Sequence, residues 1–286
     1  MDITLALGGG GSKGYAHLGV IRGLEKLGFK IQGIAGTSAG GMTAAVYASG
    51  YSPDEILTRI TNSSQDGLYG FGRGPSLLGT KGIQEILSQF LKDKTFADLI
   101  LPCALTAVDL KEMKEIIIQD GSVIDAVMAT TAVPGIFPPK EIGNYLLVDG
   151  MVLNPVPVKI ARSLAPSLPV IAVPLSPTPE CWKIYSPWGK TPENPLLRPI
   201  SRTRVAQAFE VYFRSMDMTT HMLGELRLEM ENPDLIIRPE VGHIAAMDKV
   251  NIMEVAEFGD QAVEDSLIDL KRLLKERKRK RWFRRQ

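Results

Sequence analysis

Apolar positions along the chain follow two rhythms. Residues 2–7 and 31–35 are short apolar runs of strand length, while residues 15–27 place Leu18, Ile21, Leu24 and Leu27 on one helical face and stop at Gly28. Residues 39–48 are mostly small, so a helix there packs closely on a sheet. Ser52-Pro53-Asp54-Glu55 then supplies an N-cap, a first-turn proline and two acids to open another helix. Further helices are predicted over 82–91, 123–131, 202–231 and 245–280. Strands are predicted over 103–108, 115–119, 146–148, 170–173 and 235–237. This alternation favours an α/β fold, a mainly parallel sheet covered on both faces.

Two stretches break the rhythm. Residues 65–79 interleave Gly67, Gly70, Gly72, Gly74 and Gly79 with Leu68, Tyr69, Phe71, Leu77 and Leu78. That pattern fits a flap over an apolar substrate or an irregular surface loop. Residues 176–199 carry six prolines with Trp182, Tyr185 and Trp188, so they form a lid, a partner surface or an excursion between elements. No internal repeat and no linker divides the remainder, and residues 1–270 read as one domain.

Composition narrows the picture. A chain of 286 residues with 44% hydrophobic content can bury a large core, and no apolar run is long enough to span a bilayer. The start lacks the basic region and cleavage site of a secretory signal. Cys103 and Cys181 are widely separated and form no metal-type cluster with His17, His221 or His243. The expectation is a cytoplasmic protein with no metal and no cofactor.

The net charge of +1 hides an asymmetry. Residues 271–286 hold ten of the 33 Lys/Arg and one of the 32 acids, which leaves 23 bases and 31 acids before them, a formal −8. This basic tail contains Trp282 and Phe283, which suits either an anionic membrane surface or a solvated terminus. Nucleic acid is not expected as a partner, because no binding fold accompanies the tail. The composition implies no oligomeric state.

Two glycine-rich turns carry the chemistry. Gly8-Gly9-Gly10-Gly11-Ser12-Lys13-Gly14 is a nest of backbone N–H groups suited to an anion or a developing oxyanion. Gly36-Thr37-Ser38-Ala39-Gly40 has the spacing that exposes a serine Oγ at a sharp strand-to-helix bend, where the helix's positive end favours negative charge. Together they suggest a serine hydrolase. The Gly9, Gly11 and Gly14 spacing also fits a dinucleotide site, but the second strand lacks the acid that would take the ribose hydroxyl. A nucleophilic serine needs a base. His221 and His243 follow in the chain but lie in helix or loop, whereas Asp149, before Gly150 at a strand end, is better placed.

These residues resemble patatin-like phospholipases of the bacterial, single-domain type. The blocks at residues 9–14, 36–40 and 149–150, together with Ala129-Thr130-Thr131-Ala132-Val133-Pro134-Gly135 and the Ile136-Phe137-Pro138-Pro139 that follows, match the family's signatures in order. The resemblance covers roughly residues 3–175. It implies a three-layer α/β/α fold and lipid acyl hydrolysis on a phospholipid or other acyl-ester lipid. It implies Ser38 as nucleophile, Asp149 as base and Gly9, Gly10, Gly11, Lys13 and Gly14 as oxyanion hole, with Gly36 and Gly40 shaping the elbow. Lys13 either adds positive charge near the oxyanion or braces the loop. Met151 departs from the small residue usual after Asp149-Gly150. Such a protein is peripheral at the inner membrane face if the tail binds lipid. The alternative is a regulatory or adaptor protein that keeps the fold without the chemistry.

Overall fold

The computed structural model describes residues 1–62, 80–182 and 204–283. The stretch read as a flap or an irregular surface loop, 65–79, and most of 176–199 lie outside the described residues. An eight-stranded mixed, mostly parallel sheet is flanked by helices. Its strands are β1 (Asp2–Leu7), β2 (Lys30–Thr37), β3 (Cys103–Asp109), β4 (Lys114–Ile118), β5 (Lys140–Ile142), β6 (Tyr145–Asp149), β7 (Val170–Val173) and β8 (Leu235–Ile236). The helices are α1 (Tyr15–Lys26), α2 (Ala39–Ala48), α3 (Pro53–Asn62), α4 (Lys81–Ser88), α5 (Val123–Thr130), α6 (Val158–Leu164), α7 (Arg204–Glu231), α8 (Ile252–Asp265) and α9 (Leu267–Phe283).

Strands β3, β2, β1, β7 and β8 run parallel, while β4, β5 and β6 are antiparallel additions. The register around β3 determines where the site lies. β4 takes one edge of β3 across Leu105–Asp109. The other edge is shared, with β2 pairing up to Thr37 opposite Thr106 and β6 ending at Asp149 opposite Ala107. Because β2 is parallel and β6 antiparallel to β3, their carboxyl ends meet head to head. Ser38 and Asp149, far apart in sequence, are thereby placed side by side.

The core follows the predicted apolar faces. Leu18, Ile21 and Leu24 of α1 are buried against the sheet layer that holds Ile3, Leu5, Leu7 and Ile34. A second cluster, with Ala6, Ala35 and Ala104 on the opposite sheet face, packs under Val158, Ile160 and Ala161 of α6. Alternate positions of β1 thus feed both layers, as a sheet covered on both sides requires.

Several boundaries differ from the sequence reading. β2 runs two residues past Ala35 because Gly36 and Thr37 keep pairing with β3. The long helix predicted over 245–280 is two helices. Asn251 caps α8 through Oδ1 to the N–H groups of Met253 and Glu254, and the chain turns at Ser266 before α9. Strand β5 and helix α6 were not anticipated: β5 has three residues, and α6 follows Pro155 and Pro157, which mask its onset. α9 begins at Leu267, with Leu270 and Leu273 buried, and continues through the start of the basic stretch.

Candidate active site

Ser38 joins the end of β2 to the start of α2 with φ 54° and ψ −122°, a conformation that a residue with a Cβ adopts only when its surroundings enforce it. Two glycines do so. A Cβ on Gly36 would lie 2.3 Å from the Gly40 carbonyl oxygen, and one on Gly40 would lie 2.3 Å from the Leu7 carbonyl oxygen. Strand, turn and helix therefore touch backbone to backbone, which only this glycine spacing permits. The Ser38 N–H donates to Thr130 Oγ1 at 2.8 Å, which ties the turn to the end of α5. The positive end of α2 meets the serine.

Asp149 is 1% exposed and Ser38 is 4% exposed. The Met151 N–H donates to Asp149 Oδ1 at 2.8 Å and orients the carboxyl group. The Ser38 side chain lies close enough to favour its charged form, and among the described residues Oδ2 has no partner of regular hydrogen-bond geometry. Burial outweighs these contacts and pushes the carboxyl pKa up from 3.8 to about 7. Thr37 Oγ1, 2.8 Å from Thr106 Oγ1, also donates to the Asn154 carbonyl oxygen at 2.8 Å, so the β2 end and the segment after Asp149 are joined beneath the pair. Gly150 is required there, since a Cβ would lie 2.1 Å from Thr106 Oγ1.

The glycine loop faces the same point. Its Gly9 N–H donates to the Pro155 carbonyl at 3.1 Å, Ser12 N–H to the Ala246 carbonyl at 2.9 Å and Lys13 N–H to the Gly10 carbonyl at 3.3 Å. The N–H groups of Gly10 and Gly11 have no such acceptor among the described residues. Gly14 abuts α2, where an added Cβ would lie 2.7 Å from Ala39 Cβ. Met151 closes over the loop: a Cβ on Gly9 would lie 2.4 Å from Met151 Sδ and 3.2 Å from Ser38 Cβ. The bulky side chain fits because Gly9 has none.

Buried histidine supports the loop from below. His17 Nε2 lies 2.8 Å from the Gly8 carbonyl oxygen, its Nδ1 has no partner among the described residues, and burial lowers its pKa to about 4. The ring is therefore neutral near pH 7, with its proton on Nε2. Lys13 is buried too, and desolvation lowers its pKa against the opposing charges of Asp217 and Asp248. Asp217 sits 3.4 Å from His221 on α7, and the Trp182 ring stands 6.3 Å from the His221 ring. His243 lies beside Phe258, with ring centroids 5.3 Å apart. Among the described residues, no hydrogen bond joins either histidine to Ser38 or Asp149.

The structure thus gathers Ser38, Asp149, Met151 and the loop of Gly9, Gly10, Gly11 and Gly14, with Lys13 turned toward α7. The sequence reading assigned no role to Thr130, Asn154 or His17. Thr130 sits in the block at 129–139, which was legible as a motif but not as a partner of the Ser38 amide. The α7 cover was not legible at all.

A family model described as Patatin-like phospholipase matches residues 5–162, which contain every one of these site residues except those of α7, α8 and the segments beside them. The chain belongs to the patatin-like phospholipase family, and that membership supports lipid hydrolase activity at the level of the family. "Uncharacterized NTE family protein Rv1063c" of Mycobacterium tuberculosis is 34% identical over 161 residues, 54% of this chain and 44% of that protein. "Patatin-like phospholipase domain-containing protein 7" of Rattus norvegicus is 26% identical over 286 residues, 91% of this chain and 20% of that protein. The match thus spans less than half the length of these curated relatives. Among solved structures, VipD from Legionella pneumophila aligns with a TM-score of 0.49 and 13% identity, over 92% of this chain and 66% of that one.

Proposed function

We propose that the protein is a lipid acyl hydrolase of the phospholipase A or lysophospholipase type, working through a Ser38–Asp149 dyad. The observation that carries this reading is the head-to-head meeting of β2 and β6, which sets a strained serine beside a fully buried carboxyl group. An exposed aspartate, with a pKa of about 3.9, is a weak base for a hydroxyl. A carboxyl group raised to about 7 is matched to general-base work near neutral pH without a histidine.

In the proposed sequence the Ser38 Oγ–H proton passes to Asp149 Oδ2 as Oγ attacks the ester carbonyl carbon. The oxyanion accepts from the N–H groups of Gly10 and Gly11, helped by the positive end of α2. Collapse breaks the bond to the lipid alcohol, which leaves with the proton held by Asp149. Water then attacks the acyl-Ser38 ester, giving its proton to Asp149. Breakdown returns that proton to Ser38 Oγ and frees the fatty acid. Gly9, Lys13 and Gly14 hold the loop in shape, and Met151 covers the approach to Ser38. Residues 1–270 act as the acyl hydrolase domain. The tail at 271–286 adds a salt-sensitive contact with anionic lipid at the cytoplasmic membrane face. Among the described residues no helix is long and apolar enough to cross a membrane.

Hydrolysis of a soluble short-chain ester and of phospholipid vesicles tests the dyad. Ser38→Ala and Asp149→Asn are expected to lower turnover by about a thousandfold or more, with circular dichroism unchanged. His221→Ala and His243→Ala are expected to stay within about threefold of the parent. A histidine variant as damaged as Asp149→Asn, with its fold intact, would replace the dyad by a triad. Full turnover by Ser38→Ala would remove the nucleophile assignment.

A further inference from the structure

The outward face of α7 is unusual for a helix in contact with water. Val211, Met218, Met222 and Leu226 recur at intervals of seven, four and four, and all are exposed, Met218 by 63%. A solvated helix face normally carries charge. Here the polar residues between them, Ser215 and Thr219, turn their hydroxyls back onto the carbonyls of Val211 and Ser215 at 2.8 Å each. Charged neighbours on the helix are engaged elsewhere: Asp217 with His221, Glu225 with Arg238, Arg227 with Glu231. From Val211 to Leu226 the face is therefore largely apolar and satisfied in its hydrogen bonding, flanked by half-buried Arg214 and ended by exposed Glu229.

The other side of the same helix borders the site. Asp217 acts electrostatically on Lys13 of the glycine loop. Gly224 packs on Pro155, whose carbonyl holds Gly9 N–H, and Phe213 lies 3.5 Å from where a Cβ on Gly135 would stand. A surface seated on the outer face would consequently lie across α7 from the glycine loop, about one helix diameter away.

We propose that the Val211–Leu226 face of α7 is the surface by which the protein seats on a lipid–water interface, bringing the ester of a membrane lipid to Ser38. The inference rests on the lipid hydrolase reading for its purpose, but its physical content is membrane contact. A thioether-rich and aliphatic face matches the acyl boundary of a bilayer, and it needs no anionic lipid. This contact is insensitive to salt, unlike that of a basic tail, whose attraction is screened.

The test is flotation with phosphatidylcholine vesicles at low and high salt, run alongside turnover of a soluble short-chain ester. Wild type is expected to float at both salt concentrations. The double variant Met218→Glu/Met222→Glu is expected to partition about tenfold or more weakly, because each carboxylate must stay in water. Its soluble-ester turnover stays unchanged, and Met218→Gln/Met222→Gln shifts in the same direction by less. Ile100→Glu, at an exposed position beside Gly50 at the far end of α2, controls for added charge and is expected to float like wild type. Equal flotation of wild type and the Met218/Met222 variants overturns the proposal, as does failure of wild type to float. A wild-type dimer that the Glu variant dissociates, without change in flotation, assigns the face to a second copy and also overturns it. Flotation that behaves as expected while wild type hydrolyses no ester keeps the membrane face and removes the lipase reading instead.

Discussion

The serine turn and helix α7 both border the glycine loop, through Ala39 beside Gly14 and Asp217 beside Lys13, and are held there by different means. Around Ser38 the contacts are backbone to backbone: Gly36 against Gly40, Gly40 against Leu7, Gly150 against Thr106. Around α7 they are side chain to side chain or across charges, as with Arg227 and Glu115 at 3.7 Å, and Gly224 has only ordinary contact with Pro155. The first kind of contact tolerates no added atom. The second is made by side chains that can change rotamer. Rigidity thus belongs where the Ser38 turn is held.

Paired glycine substitutions give the sharpest break in this comparison. Gly40→Ala places a Cβ 2.3 Å from a backbone oxygen that cannot move without unpairing β1, so a loss of about 3 kcal/mol or more is expected, read as a large fall in Tm or no soluble protein. Gly224→Ala meets nothing closer than 3.6 Å and gains helix propensity worth roughly 0.8–1 kcal/mol, so Tm should stay level or rise. Equal losses at both sites would erase the distinction.

Asp149→Asn is expected to have a smaller effect on stability, and of the opposite sign. The folded-state pKa is raised above the unfolded value of 3.8, so the favourable contribution of the neutral carboxyl group is complete below about pH 4. It is lost as pH rises through about 7. At pH 8 the fold therefore holds a buried carboxylate at a cost on the order of a few kcal/mol. The uncharged amide removes that cost while Oδ1 still accepts the Met151 N–H. Chemical denaturation at pH 8 should show the variant to be more stable than the parent, even though it is inactive. A variant no more stable than the parent at pH 8 would mean that the carboxyl group titrates as in water.

The subtlest effect is in the pH dependence. Turnover on a soluble ester should fall as pH drops through about 7, when Asp149 takes up its proton. Stability over the same range should change little. His17, with its pKa lowered to about 4, contributes stability that is present above 6.5 and is lost as pH falls through 4. Between these values the unfolded chain binds one proton more at His17 and one fewer at Asp149, so the two slopes oppose each other. His17→Gln, which keeps a donor for the Gly8 carbonyl, should expose the Asp149 slope: stability then rises as pH falls from 7 toward 4. A profile identical to wild type would remove His17 from the balance.

What the sequence disclosed follows from the same division. Glycine spacings at 9–14, 36–40 and 149–150 record contacts that no other residue permits, so they stand out in a single chain. The apolar runs of β1, β2, β3 and β7 record burial on both sheet faces. By contrast, the meeting of Thr37 and Asp149 on one edge of β3 depends on two strand pairings, Thr37 with Thr106 and Ala107 with Asp149, which no local pattern reveals. β2 extends two residues further than its apolar run because Gly36 and Thr37, turn residues by type, pair with Leu105 and Thr106. Helical periodicity passes through Ser266 and hides the break between α8 and α9, whereas the start of α8 is marked by Asn251 followed by Glu254. The cover by α7 rests on tertiary contacts alone.

Ser38 is proposed as a nucleophile made reactive by Asp149, with no histidine hydrogen-bonded to either among the described residues. The most direct test is the intact mass of the protein after reaction with a fluorophosphonate, with the adduct located by peptide mapping and its rate followed against pH. One adduct per chain is expected, on Ser38, forming along a single ionisation near pH 7, absent in Ser38→Ala, slowed by Asp149→Asn and unaffected by His221→Ala or His243→Ala. An adduct on another serine, or one that forms as fast without the Asp149 carboxylate, would contradict it.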